Sequence, residues 1–327
     1  MKRMALLIFL AAATLSRAAE KPLNFVVVLV DDMGWTDLEC SGSRLYETPH
    51  LNQLAKEGVR FTQGYAACTV CSPTRAAMLT GKYPARLHIT NWIPGHRPKN
   101  VKFKDPDWTQ HLPLTETTIA RLLKGVGYAT CHIGKWHLGS ERFHPDKHGF
   151  DHNIGGTHRG GPRSYFSPYR NPNLKDGPRG EYLTDREAIE ACHFIEKNKN
   201  RPFFLYLPHY AVHTPIQGKK KLTEKYQKKI KPGMKQKNAT YAAMVESVDD
   251  AMGKIRAKLK STGVADRTVI IFTSDNGGQI LRRPKLPPTD NTPLRAGKGS
   301  TYEGGVRVPW IVYWPGVTPK GKVCTEP

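Results

Sequence analysis

Asn24-Phe25-Val26-Val27-Val28-Leu29-Val30-Asp31-Asp32 is the stretch that decides the fold. From Asn24 to Val30 the run is apolar and rich in β-branched residues, without polar alternation, which predicts a strand buried on both faces of a parallel sheet. It closes on two adjacent carboxylates. Asp31 and Asp32 repel one another at the end of such a strand, and a bound hard cation relieves the repulsion; a solvated turn at Gly34 is the alternative reading. Three later apolar runs also end in reactive side chains. Residues 128–133 lead into Gly134-Lys135-Trp136-His137, residues 203–207 into Pro208-His209 and on to His213-Thr214-Pro215, and residues 268–273 into Ser274-Asp275-Asn276-Gly277. Ligands of open α/β sheets gather outside the carboxyl ends of strands, so these clusters are expected on one rim. Lys135 and His137, two residues apart on an extended segment, would share a side and reach one anionic group.

The stretches between these runs supply the helices. Residues 49–58 read as a short amphipathic helix stopped by Gly58 and followed by a strand at 59–62. A helix is expected at 117–124. Another is expected at 184–197, with Thr184 as cap and Ile189, Cys192, His193 and Ile195 or Glu196 on one face. The longest, at 240–259, repeats Tyr241, Met244, Val245, Val248, Met252, Ile255 and Leu259 at helical spacing, as a core helix does. A further strand is expected at 309–314. Residues 89–111 and 140–182 lack any period and read as loops that wall a cleft, where Trp92, His96 and Arg97 are candidates for substrate contact.

Cys71-Ser72-Pro73-Thr74-Arg75-Ala76-Ala77-Met78-Leu79-Thr80-Gly81 is built to hold one reactive side chain beside a helix. Ser72 suits the N-cap and Pro73 the first helical position, which would place Cys71 just ahead of the helix. The free N–H groups and positive dipole end there attract an anion, and Arg75 adds a fixed cation. A structural cysteine before a capped helix is the plainer alternative.

Composition sets the wider limits. The 327 residues carry 50 Lys and Arg against 28 Asp and Glu, a formal charge of +22, which favours polyanionic partners such as nucleic acid or sulfated polysaccharide. The lysines of residues 218–237 read as a solvated basic face. Lys2 and Arg3, an apolar run at 4–15 and Ser16-Arg17-Ala18 have the layout of a secretory signal cut after Ala18. That run is too short to span a bilayer, and no later stretch approaches the ~20 apolar residues a membrane helix needs. Six cysteines at wide spacing do not make a disulfide scaffold; buried free thiols are expected for most.

The Cys71 stretch resembles the signature of the type I sulfatases, in which Cys-x-Pro-x-Arg directs oxidation of the cysteine to formylglycine (3-oxoalanine). Cys71, Pro73, Arg75 and Thr80-Gly81 match it. A second signature of that family matches from Gly127 through His137, and the resemblance spans nearly all of residues 22–316. It implies an α/β, alkaline-phosphatase-like fold: a large, mostly parallel mixed sheet with helices on both faces. Residues 19–327 would form the catalytic domain behind a signal at 1–18, with the family's small C-terminal subdomain expected to be missing after Pro327.

The resemblance also implies hydrolysis of sulfate esters, on sulfated polysaccharide or oligosaccharide. One divalent cation, calcium rather than magnesium, would be held by Asp31, Asp32, Asp275, Asn276 and the modified Cys71. In the family's mechanism one hydroxyl of the hydrated formylglycine, activated by Asp275, attacks sulfur while Arg75, Lys135 and Lys298 hold the sulfate oxygens. His213, in the family's His-x-Pro position, and Lys298 assist the departing alcohol, and His137 removes the remaining hydroxyl proton; His209 is read as structural. Glu303 and Arg307 would brace the Lys298 loop. The implied partners are a sulfated carbohydrate and a formylglycine-generating maturation enzyme, with no nucleic acid and no membrane span, in an exported protein of the periplasm or extracellular space. Alternatives are a phosphate mono- or diester hydrolase of the same superfamily and a non-catalytic binder of sulfated glycans.

Overall fold

The computed structural model describes residues 21–96, 102–103, 106–281 and 286–327. The expected secretory signal and Arg97 lie outside the described residues. Among the described residues eight strands make one sheet: β1 (Asn24–Val30), β2 (Val59–Phe61), β3 (Ala129–Ile133), β4 (His152–Ile154), β5 (Phe203–Pro208), β6 (Thr268–Ser274), β7 (Trp310–Tyr313) and β8 (Lys322–Cys324). Their order is β4-β3-β5-β1-β6-β7-β2-β8. Neighbours from β4 to β6 run parallel, as do β2 and β8, and β7 is antiparallel to both β6 and β2. The sheet is therefore mixed and mostly parallel.

Among the described residues eight α-helical segments accompany it: α1 (Pro49–Glu57), α2 (Cys71–Thr80), α3 (Pro84–Leu87), α4 (Ile119–Gly125), α5 (Leu183–Asn198), α6 (Lys220–Lys229), α7 (Ala239–Ser261) and α8 (Glu303–Val306). Alternate residues of β1 serve opposite faces, as the pleat requires. Val26, Val28 and Val30 join the core formed with α1, α5 and α7, while Leu29 joins a second core with Ala76, Leu79, Leu87 and Ala120 from α2, α3 and α4. Each such fully buried aliphatic side chain contributes roughly 1.5–3 kcal/mol, so an apolar run of this length fixes β1 in the middle of the sheet.

Some elements depart from the sequence reading. The strands β4 and β8 have three residues each and no apolar run to announce them. On α5 the buried face is Glu187, Ala188, Ala191, Phe194 and Ile195, with Ile189 exposed and Tyr182, not Thr184, at the N-cap. Phe194, packed edge-on against Phe203 of β5 at 5.8 Å, and Glu187, bound to His209, set this rotation. Within the lysine-rich segment α6 buries Tyr226. All six cysteines are free, with Cys71 and Cys131 buried. Among the described residues no helix is long and apolar enough to cross a membrane.

Candidate active site

β3, β5, β1 and β6 are successive neighbours in the sheet, so their carboxyl ends open onto one place. The register Leu29↔Pro208 and Val30↔Ser274 brings the residues that follow to one level. Backbone bonds extend the ladder past the strands: Lys135 N–H donates to Pro208 O at 2.7 Å, His209 N–H to Leu29 O at 2.9 Å and Asp275 N–H to Val30 O at 3.1 Å. Gly134 makes the first of these turns possible. Its φ is 110°, and a Cβ there would lie 2.1 Å from Pro208 O. On the other side Gly277 lets the end of β6 touch the Lys298 loop, since a Cβ would lie 1.8 Å from Gly304 O.

Three carboxylates and three cations meet at this rim. Lys135 Nζ lies 2.6 Å from Asp31 Oδ2, and Lys298 Nζ lies 2.7 Å and 2.8 Å from the two oxygens of Asp32. Arg75 donates from Nε and Nη2 to Asp275 Oδ2 at 2.9 Å and 2.8 Å, and from Nη1 to Lys135 O at 2.9 Å. Its fork is fully buried and faces Asp275, so in this structure it orients a carboxylate and a turn rather than lining open space. Burial, with the charges of Asp275 and Asp32, pushes Asp31 well above the usual carboxylate range despite Lys135. Asp32 is held below that range, because Lys298, His213 and Lys135 outweigh its burial; Arg75 and Lys135 do the same for Asp275.

The donor set suits a hard cation. Asp31 Oδ1 and Asn276 Oδ1 are buried oxygens without a hydrogen-bond partner, while Asn276 Nδ2 is anchored on Asp32 Oδ1 at 2.8 Å. Buried acceptors are normally satisfied, and a cation would satisfy these while relieving the repulsion on Asp31. Asp31, Asp32 and His213 each offer a ligand atom within 4.8 Å of one another. Of the five residues expected around the metal, Asp31 and Asp32 bring their oxygens together, and Asn276 is anchored beside Asp32. Asp275 is turned toward Arg75, with its other oxygen accepting Asp32 N–H at 3.2 Å.

Cys71 is the first residue of α2 rather than the residue ahead of it, and the N-cap is Val70. Ser72 does not cap. Its hydroxyl donates to His137 O at 3.0 Å and accepts Ile93 N–H at 3.1 Å, so it ties the helix start to the segment after β3. The segment through His137 is not extended throughout either: His137 has φ 60°, and its ring lies against the start of α2. Its Nδ1 lies 3.2 Å from Cys71 Sγ, and its Nε2 faces the carbonyl of Ile93. A carbonyl only accepts, so Nε2 carries the proton and Nδ1 presents its lone pair to position 71. Burial, then the charge of Lys135, holds this imidazole well below its ordinary pKa and therefore neutral.

His213 donates from Nδ1 to Thr214 O at 2.8 Å, leaving Nε2 directed to Asp32 Oδ2 at 3.8 Å. Burial brings its pKa down to about 3. His209 is elsewhere, buried with Nδ1 2.6 Å from Glu187 Oε2. Sequence reasoning missed Glu187, the Ile93 carbonyl and Tyr165, whose hydroxyl holds the turn after β5 through Tyr210 O at 2.6 Å and His213 O at 2.9 Å. No sequence pattern marks a backbone carbonyl or a pairing across distant segments. Trp92 is half-buried next to Ile93, and His96 is exposed. Arg307 lies 2.6 Å from Glu303 and 3.0 Å from the Tyr65 hydroxyl.

This geometry places a sulfur atom, a neutral base, a cluster of acidic oxygens and two ammonium groups at one rim. Comparison with known proteins adds a lineage. The Sulfatase family model matches residues 23–326 of the chain. N-acetylgalactosamine-6-sulfatase of Sus scrofa is 37% identical over 350 residues, covering 98% of this chain and 63% of that protein. Steryl-sulfatase of Mus musculus is 33% identical over 392 residues, covering 94% of this chain and 60% of that protein. The chain thus spans about 60–63% of the length of these curated relatives. Among solved structures, Ps i-CgsB in complex with k-i-k-neocarrahexaose aligns with a TM-score of 0.80 at 35% identity, covering 94% of this chain and 69% of that one.

Proposed function

The chain belongs to the sulfatase family and has its alkaline-phosphatase-like α/β fold, and from that footing we propose that it hydrolyses sulfate esters at the rim around Cys71. The observation that carries this reading is the approach of His137 Nδ1 to Cys71 Sγ, 3.2 Å, at the start of α2 and beside the acidic cluster. Residues 19–327 would act as the catalytic domain of an exported protein, behind a signal at 1–18.

Position 71 would be matured by a formylglycine-generating enzyme; the thiol of Cys71 stands where the hydrated aldehyde would be. When formed, that group supplies a hydroxyl nucleophile that an unmodified thiol does not. Asp31, Asp32 and Asn276, with Asp275 next to them, would hold a calcium ion, which supplies positive charge for the acidic hydroxyl and the sulfate oxygens. The chain's own side chains do the rest. His137, fixed by the Ile93 carbonyl with Nδ1 unprotonated, takes a proton from position 71. Lys135 and Lys298 neutralise the sulfate oxygens, and the charge of Asp32 keeps Lys298 an ammonium despite its burial. Lys298 and His213 flank the departing alcohol, with His213 Nε2 as the free ring nitrogen. Arg75 acts one step back, aligning Asp275 and the Lys135 turn.

A sulfated oligosaccharide or polysaccharide is the substrate class that fits best. The relatives include an N-acetylgalactosamine-6-sulfatase, and one similar structure was solved with a neocarrahexaose. The charge of +22 attracts a polyanion. The test is sulfate release from 4-nitrophenyl sulfate and from sulfated oligosaccharides by the matured protein. Cys71→Ala should abolish release from both, and release that persists in this variant would remove position 71 from the reaction.

A further inference from the structure

The loop spanning residues 155–176 carries a basic cluster that the chemistry at Cys71 does not use. Gly160 and Gly161 run against the two site histidines. A Cβ at 160 would lie 2.7 Å from His137 Cε1, too close without a shift of the ring, and one at 161 would lie 3.0 Å from His213 Nδ1, a tight contact, so the backbone passes close to both rings. Arg159 and Arg163 flank this pair and are exposed, which places both at the mouth of the site.

Arg159, Gly161, Arg163 and Arg170 border one shallow depression, and the three arginines around it are exposed. Arg170 sits at φ 52°, a left-handed conformation that is costly for a long side chain. Asp176 holds it there: its Oδ1 accepts Tyr169 N–H at 2.5 Å and Arg170 N–H at 3.3 Å. None of these three guanidinium groups has, among the described residues, an acidic partner such as Arg186, Arg256 and Arg307 have; they share this with other exposed arginines, and what sets them apart is their grouping beside the site. Unpaired guanidinium groups clustered around one depression raise the local positive potential, and each fits a sulfate or carboxylate in bidentate fashion.

We propose that Arg159, Arg163 and Arg170 form an accessory subsite for a second anionic group of the substrate, carried on a sugar next to the one that loses its sulfate. This rests on the sulfate-ester reading above and narrows it to multiply charged glycans. The reacting sulfate engages Lys135 and Lys298, and the second anion engages the arginine cluster across the Gly160-Gly161 passage.

The test compares two inhibitors of 4-nitrophenyl sulfate hydrolysis by the matured protein: inorganic sulfate, which fills the reacting centre alone, and a short dextran sulfate oligosaccharide, which also reaches the arginines. In the R159Q/R163Q/R170Q variant the dextran sulfate constant should rise about tenfold relative to the inorganic sulfate constant, with a shallower salt dependence. A control variant, K221Q/K228Q/K235Q, removes equal charge from the α6 region and should leave that ratio where the wild type has it. Equal response of both inhibitors in the arginine variant, or an equal effect in the lysine variant, overturns the subsite. If the wild-type protein releases sulfate from neither 4-nitrophenyl sulfate nor sulfated oligosaccharides, the sulfate-ester reading fails on its own. Calorimetric titration of the same variants with dextran sulfate then decides the subsite, with an undiminished affinity in the arginine variant counting against it.

Discussion

His137 Nδ1 lies 3.2 Å from Cys71 Sγ, while the opposite nitrogen of the ring is committed to the backbone carbonyl of Ile93. This fixes both the tautomer and the direction of the imidazole before any substrate arrives. His137→Gln should therefore lower kcat on 4-nitrophenyl sulfate by about 10²–10⁴-fold, with a smaller change in KM. A loss of less than about threefold would mean that the ring does not handle the proton at position 71.

Arg75 is a positioning residue: each of its three nitrogens donates to Asp275 or to Lys135 O. Replacing it by Met leaves the Asp275 carboxylate buried without its partner, which typically costs about 3–5 kcal/mol. Urea denaturation of Arg75→Met should show a loss of that order. A change within about 0.5 kcal/mol, the range of an ordinary surface substitution, would contradict the buried pairing.

The unpartnered oxygens Asp31 Oδ1 and Asn276 Oδ1 make a thermal-shift prediction. Calcium at a hundred times its dissociation constant should stabilise the protein by about 2.7 kcal/mol, and chelator should reverse the gain. Asn276→Ala removes one of the two oxygens and should reduce the calcium-dependent shift in Tm. An identical shift in the variant would place the ion elsewhere.

Glu187 and His209 make a buried pair behind the turn at Gly134. Burial raises the Glu187 carboxyl, while His209 opposes that rise. Glu187→Ala leaves His209 with no acceptor for Nδ1, and the cost should be about 3–5 kcal/mol if the pair is ionised. A loss smaller than about 1 kcal/mol would identify it as a neutral hydrogen bond.

Legibility in the sequence follows the range of the interaction involved. β1 could be read because a β-branched run that closes on Asp31-Asp32 is a local pattern, and the same holds for β3, β5 and β6 with the polar residues at their ends. Their arrival at one rim follows from parallel pairing. β4 was not legible, because His152-Asn153-Ile154 gains its strand geometry only from pairing with Cys131, His132 and Ile133. The start of α2 shifted by one residue because the Ser72 hydroxyl, suited to capping, is drawn to His137 O instead. On α5 the apolar residues alone gave the wrong rotation, since Glu187 turns inward to a histidine 22 residues later. Likewise the motif shows Arg75 as a cation, but its commitment to Asp275, 200 residues away, belongs to the assembled sheet.

The most direct measurement is a mass spectrum of the peptide containing Cys71, taken from protein made in its own host or together with a formylglycine-generating enzyme. The account predicts an aldehyde at position 71, seen as replacement of the thiol sulfur by carbonyl oxygen and trapped by a hydrazide probe, with sulfate-ester hydrolysis rising in proportion to that fraction. Full hydrolytic activity in protein whose Cys71 is entirely an unmodified thiol would contradict it.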